Sequence, residues 1–357
     1  MKYLPLAAAG ALVVAVAATG IAFAADPASK APAKARADAD MQAVLDAHAS
    51  LKPKPIEKLS AAEARKQPTP ADAVNVVLKK KGMSTDPLVL VPGVKHVDRT
   101  ITGAAGEIPA RIYTPDGAGP FPVIVYFHGG GWVIADKQVY DGGARGLSKQ
   151  ANAVVVSVDY RQSPEHKFPA AWDDALAAYK WTLANAAALK GDPKKLALAG
   201  ESAGGNLAVA TAIAVRDAGL QAPLHVVAVY PVAQTNLETP SYKANANAKP
   251  LNRPMIKWFV DKLISLPADL KDPRISLVDA KLQGLPPVTL ISAPIDPLLD
   301  DAAMLEAALK KAGVPVERKL YEGVSHEFFG MAAVVAKAKD AQEYASQRLK
   351  ASFSKPS

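Results

Sequence analysis

Ser202 stands at the centre of Gly200-Glu201-Ser202-Ala203-Gly204, with His128-Gly129-Gly130-Gly131 upstream of it. A serine hydroxyl attacks only when a neighbouring base takes its proton, and the base needs an acid to fix its tautomer. The apolar run Lys195–Ala199 before the serine reads as a strand, and Ala203–Ala210 after it reads as the start of a helix. A sharp strand-to-helix turn strains the residue at the bend and exposes its side chain. The flanking glycines remove Cβ atoms that would clash there. The helix N-terminus below supplies N–H groups to a developing oxyanion. A bare GxSxG is common by chance, so its context decides.

Six histidines compete for the role of base. His48 lies among proline-broken helices, His96 and His225 at strand starts, His166 in a proline-rich loop, and His128 opens the glycine loop. Only His326, in Gly323–Phe329, follows a strand's C-terminal end late in the chain. Asp296, just after the strand Val288–Ile291, is the expected acid, while Asp300 and Asp301 read as N-capping residues of the next helix. The order Ser202, Asp296, His326 is that of α/β-hydrolases and of neither main protease class. Gly130, Gly131 and Ala203 are the natural N–H donors to an oxyanion, because no side chain need block them. The glycine run lacks GxGxxG spacing, and His326-Glu327 begins like a zincin motif without its second His, so no dinucleotide or metal is expected.

The elements that must hold these residues alternate. Val97–Ile101 and Ile108–Tyr113 form a hairpin-like pair, and Val123–Phe127 and Val154–Val158 are continuous apolar runs typical of strands covered on both faces. Helices are expected over Val139–Gln150, Ala170–Leu189, Ala203–Ala218, Asp301–Ala312 and from Ala332 onward. Leu196–Ala199, Val226–Tyr230, Val288–Ile291 and Val316–Tyr321 complete eight strands. Such interleaving argues a doubly wound, mostly parallel sheet with helices on both faces. Two segments break the alternation: proline-interrupted helices over residues 41–85, and an insertion at about 231–273. Both are expected to cap the crevice above the strand ends. Trp132, Trp258 and Phe259 are the aromatic candidates for its substrate-facing wall.

HGGGW at 128–132, Asp159-Tyr160-Arg161, Ser163–His166 with Phe168-Pro169-Ala170, GESAGGNLA at 200–208, Asp296-Pro297-Leu298 and His326 together resemble the hormone-sensitive-lipase family of α/β-hydrolases, the bacterial family IV esterases. The likeness runs from about His96 to the C-terminus. It implies the α/β-hydrolase fold over residues 86–357 and cofactor-free hydrolysis of small-molecule carboxylic esters, usually with short acyl chains. It also implies that Ser202, His326 and Asp296 act as nucleophile, base and acid, with His128, Asp159 and Arg161 as loop supports. Glu201 and Glu327 depart from the residues more usual in that family. A serine amidase or peptidase would use the same groups, but no peptide-binding domain is recognisable. A non-catalytic binding relative, like the plant gibberellin receptor, would have lost its His326.

Composition bounds the rest. The 357 residues are 50% hydrophobic and 21% charged and include no cysteine, which excludes disulfides, thiolate nucleophiles and zinc–thiolate sites. The net charge of +8 is scattered, with Lys79-Lys80-Lys81 its longest run, so no nucleic-acid partner is expected. Lys2, the apolar stretch Leu4–Phe23 and Ala22-Phe23-Ala24 read as a signal peptide over residues 1–24, cleaved before Ala25 and directing the protein to the periplasm or medium. An uncleaved membrane anchor is the alternative. Residues 25–40 read as a linker.

Overall fold

The computed structural model describes residues 1–2 and 35–355, so most of the signal segment and of the linker lies outside the described residues. The strands are β1 (Val94–Gly103), β2 (Gly106–Pro115), β3 (Phe121–Phe127), β4 (Val154–Val158), β5 (Gly191–Glu201), β6 (Val226–Val229), β7 (Val288–Ser292) and β8 (Val316–Leu320). They form one sheet in the order β1-β2-β4-β3-β5-β6-β7-β8. β1 and β2 pair antiparallel, as do β2 and β4, and every later pairing is parallel. The fold is an α/β-hydrolase fold.

The helices are α1 (Ala39–Ser50), α2 (Ala61–Ala64), α3 (Pro70–Lys80), α4 (Pro87–Leu90), α5 (Asp141–Ala151), α6 (Ala170–Asn185), α7 (Ala203–Asp217), α8 (Pro240–Ala244), α9 (Arg253–Leu263), α10 (Leu299–Lys311) and α11 (Ala336–Phe353). Alternate residues of each central strand feed opposite cores. Val123, Val125 and Phe127 pack with α6, α7 and α10, whereas Ile124 and Tyr126 pack with α5 and α11. That two-sided burial is why β3 and β4 read as unbroken apolar runs. α1 and α3 contribute Met41, Val44, Val77 and Leu78 to the second core, so part of the N-terminal segment clothes the sheet rather than the crevice.

Local chemistry sets several boundaries. Thr69 accepts from the Asp72 N–H at 3.2 Å while Asp72 accepts from the Thr69 N–H at 2.8 Å, a reciprocal cap that starts α3 with Pro70 in its first turn. The expected linker ends earlier than residue 40, because α1 begins at Ala39. α6 stops at Asn185 and a 3-10 turn over Ala187–Leu189 completes the apolar run, with Lys190 left-handed after it. α11 begins at Ala336, not Ala332, since Phe328–Met331 forms a separate 3-10 turn. No helix of the described residues is long and apolar enough to cross a membrane.

The strand order reverses at β3. From β3 the chain first moves to β4, then crosses back to β5 and proceeds to the other edge. Crevices at such reversals, outside the carboxyl ends of the strands, are where ligands bind in open α/β sheets. Phe127 of β3 pairs with Gly200 of β5, so the His128 loop and Ser202 emerge side by side at this point.

Candidate active site

Ser202 leaves β5 with φ 56° and ψ −118°, a conformation a side-chain-bearing residue adopts only under constraint. The constraint is visible in its neighbours. A Cβ on Gly204 would run into the Phe127 and His128 carbonyls, and one on Gly200 into the Gly204 carbonyl. Only glycine lets the three backbones converge, and the turn then lifts the hydroxyl into the crevice.

The three expected groups meet. His326 Nε2 lies 2.9 Å from Ser202 Oγ, and His326 Nδ1 lies 2.7 Å from Asp296 Oδ2. Asp296 and His326 are buried, and Ser202 is 6% exposed. Asp296 Oδ1 accepts from the Leu298 N–H at 2.8 Å, which fixes the carboxylate's second oxygen. Asn245, from the insertion, donates to the Asp296 carbonyl at 3.0 Å and holds the acid's loop from above. Burial pushes the His326 imidazole down, but the Asp296 carboxylate, its hydrogen bond, Glu327 and Glu201 together raise it above its ordinary 6.5. The arrangement can therefore take a proton from Ser202 and hold it as an ion pair.

The glycine loop brings N–H groups to the same place. Gly130 and Gly131 have φ of 94° and 60°, and a Cβ on Gly130 would strike the Ile134 carbonyl. Among the described residues, no acceptor takes the Gly130, Gly131 or Ala203 N–H. His128, buried, stacks on Tyr160 at 4.4 Å and donates from Nδ1 to the Gly129 carbonyl at 2.7 Å. Tyr160 in turn donates to the His128 carbonyl at 2.9 Å. Asp159 binds the Lys137 N–H and ammonium, both at 2.6 Å, and Arg161 pairs with the buried Asp174 at 2.8 Å. These residues brace the loop and do not reach the serine.

Ser202, His326, Gly130 and Gly131 open into a cavity of about 980 Å³ roofed by the N-terminal segment and the insertion. The three aromatic candidates divide there. Phe259 lines the cavity and lies over Gly131, where an added Cβ would strike its ring. Trp258 does not line it: its neighbour on α9 points about 100° away, and its indole N–H donates to the Leu59 carbonyl at 3.1 Å. Trp258 ties the two cap segments together among Ile56, Ala61, Ala64 and Leu251. Trp132 does not line the cavity either. It is 3% exposed and stacks on Trp172 at 5.1 Å in the sheet's core, because the turn after Gly131 carries its side chain inward.

Asp301 also departs from expectation. It is not an N-cap but a buried acceptor for the Ala233 N–H at 3.0 Å and the Gln234 side chain at 2.8 Å, and burial pushes it up to about 7. It anchors the insertion where it leaves β6. Asp300 accepts from the Ser241 N–H at 2.8 Å, also within the insertion.

Several contacts around the site become visible only in the structure. Arg65 of the N-terminal segment binds the Val133 carbonyl at 2.8 Å, the Ser163 carbonyl at 2.9 Å and Glu165 at 2.7 Å, pinning the cap to two active-site loops. Glu201, beside Ser202, accepts from Tyr126 and Tyr230, and burial pushes it up to about 8. Tyr140 donates to Glu327 at 2.6 Å. Among the described residues, no group of three His, Asp or Glu side chains is placed to hold a metal ion.

This geometry has parallels. Residues 124–330 match the family model described as alpha/beta hydrolase fold. The chain is 38% identical over 280 residues to carboxylesterase NlhH of Mycobacterium tuberculosis H37Rv, covering 76% of this chain and 88% of that one. It is 34% identical over 249 residues to ethyl acetate hydrolase of Pseudomonas putida, covering 68% and 78%. A solved esterase from Pyrobaculum calidifontis superposes with a TM-score of 0.76 at 33% identity, covering 85% of this chain and 97% of that chain. The thermophilic carboxylesterase EstE1, cloned from a metagenomic library, does so with a TM-score of 0.76 at 32% identity, covering 84% and 99%. The chain belongs to the α/β-hydrolases. Within them it is a member of the hormone-sensitive-lipase, or family IV, group.

Proposed function

We propose that this carboxylic ester hydrolase works as a serine enzyme on short-chain esters, through an acyl-enzyme on Ser202. The observation that carries the reading is the Ser202–His326–Asp296 relay set beside three unengaged N–H groups in one cavity. His326 takes the Ser202 proton as Oγ attacks the ester carbonyl. The N–H groups of Gly130, Gly131 and Ala203 receive the oxyanion, a contribution of about 10²–10³ per donor in comparable enzymes. His326 then returns the proton to the leaving alcohol, and water repeats the sequence to release the acid. No cofactor enters any step. A fluorophosphonate should label the protein once, and peptide mass mapping should place the adduct on Ser202. An adduct elsewhere, or no adduct in a protein that hydrolyses p-nitrophenyl butyrate, would overturn the assignment.

The wall at Phe259 supports a preference for acyl chains of about two to eight carbons, since each further buried CH₂ is worth about 0.8 kcal/mol only where it fits. Phe259→Ala should move kcat/KM toward longer p-nitrophenyl esters. Trp258→Ala should leave the chain-length profile in place and lower Tm instead. The same profile for wild type and Phe259→Ala would remove Phe259 from the specificity wall.

Export to the periplasm or medium belongs to this reading. Lys2, the apolar stretch and Ala22-Phe23-Ala24 support cleavage before Ala25. Intact-mass measurement of the exported protein should give a chain beginning at Ala25; Met1 retained in a membrane fraction would instead support the anchor.

A further inference from the structure

Glu327 places a carboxyl group in the active-site cavity with His326, and no Lys or Arg, as its basic neighbour among the described residues. It follows His326 at φ 71°, in the left-handed region that glycine enters freely and a side-chain-bearing residue does not. Tyr140 donates to Oε1, and that oxygen lies 3.8 Å from His326 Nε2. Among the described residues, no donor reaches Oε2, and no Lys or Arg comes within ion-pair distance of either oxygen. The Lys and Arg residues that line the cavity are Lys52, Lys54 and Arg65 in the N-terminal segment, Lys249 in the insertion and Arg161 after β4, with Arg65 committed to Glu165 and Arg161 to Asp174. Burial raises the Glu327 carboxyl above its ordinary value, against the His326 charge and the Tyr140 hydrogen bond. A cationic ligand beside it would favour the ionised form.

The position of this charge along the reaction path is specific. The leaving oxygen must come within about 3 Å of His326 Nε2 to receive its proton. Glu327 Oε1 flanks that same nitrogen. A positive group two carbons beyond the ester oxygen lies about 3–4 Å from it, given bonds near 1.5 Å. It therefore reaches Glu327 from the alcohol side.

We propose that Glu327 is the recognition site for a positively charged group in the alcohol part of the substrate, so that the preferred esters are those of amino alcohols with the nitrogen two to three carbons from the ester oxygen. The proposal rests on the serine-esterase reading above. The ion pair forms no covalent bond and moves no proton; it holds the leaving group against His326 while the ester is cleaved. Tyr140 and His326 both face Oε1, and the substrate's cation then takes the side of the carboxyl that no Lys or Arg occupies.

The experiment compares two butyrate esters of equal shape, the choline ester and its uncharged 3,3-dimethylbutyl analogue, in wild type, Glu327→Gln and Glu327→Gly. The readout is the ratio of their kcat/KM values within each protein, which cancels any loss of folded enzyme. The quaternary ammonium of the choline ester carries a fixed charge, which also removes any titration of the substrate. Wild type should favour the cationic ester by about tenfold, in line with one partly buried ion pair, and both variants should lose that preference. Tetramethylammonium should slow fluorophosphonate labelling of wild type and not of Glu327→Gln. A ratio unchanged by either variant, or a wild type that favours the neutral ester, overturns the proposal while leaving the esterase reading in place. Failure of wild type to cleave either ester or take the label overturns that reading, and this one with it.

Discussion

Ser202→Ala should abolish ester hydrolysis, with kcat falling by about 10⁶, the loss seen when a triad nucleophile is removed from a serine hydrolase. The side chain is 6% exposed and makes its one hydrogen bond to His326, so truncation opens almost no cavity and the protein should keep its Tm. The strained turn should be unchanged, since alanine carries the same Cβ at the same φ. Steady-state assays with p-nitrophenyl butyrate, beside thermal unfolding, separate chemistry from folding. A variant retaining several per cent of wild-type activity would mean that another group attacks the ester.

Asp296→Asn should cost about 10⁴ in kcat, the effect of placing a carboxamide where the orienting acid stands. An amide NH₂ facing His326 Nδ1 forces that nitrogen to accept, which puts the ring proton on Nε2 and turns it toward Ser202 Oγ. The serine then faces a donor instead of a base. The pH profile gives a second readout. In wild type, activity requires neutral His326, whose pKa is raised, so kcat/KM should fall as pH drops through a value above 6.5. Without the Asp296 charge the folded imidazole loses its main stabiliser in the protonated form, so the residual activity should titrate at lower pH. Asp301→Asn should have a far smaller effect on rate, because an amide oxygen can still accept from Ala233, and should act on Tm instead. If Asp301→Asn damaged kcat more than Asp296→Asn, the assignment of the acid would be wrong.

What could be read from the chain was whatever depends on neighbours in sequence. β3, β4 and β7 are continuous apolar runs, and the glycines around Ser202 announce a turn whose crowding the structure displays atom by atom. Ser202, Asp296 and His326 each follow an identifiable strand, so their convergence followed from the parallel sheet. What could not be read depends on which loop lands on which. Asp301 sits in a helix's first turn, where capping is the ordinary role, and only the return of Ala233 and Gln234 onto it reveals a buried clamp. Trp258 and Phe259 are adjacent in sequence and point apart on the helix, so composition alone could not say which faces the cavity. The same holds for Trp132, which follows Gly130 and Gly131 in a run of three positive-φ residues. The Tyr140–Glu327 and Tyr126–Glu201 pairs join residues far apart in the chain, and no local pattern announces them.

The loop that carries His326 is fastened from the other end of the protein. The Asp38 N–H donates to the Gly323 carbonyl at 2.8 Å, Asp38 pairs with Lys337 at 2.6 Å, and a Cβ on Gly323 would collide with the Asp38 carboxylate. Ser325 lies against the Met41 sulfur at 3.7 Å. The base is thus seated by some of the first and last residues of the folded body, a contact of very high sequence separation. Loops of that span close late, after the entropy of the intervening chain has been lost. A chain lacking Asp38, or α11 with Lys337, loses contacts that seat the His326 loop. Truncation at either end should therefore lower activity by loosening His326 even where the sheet and the Ser202 turn stay folded.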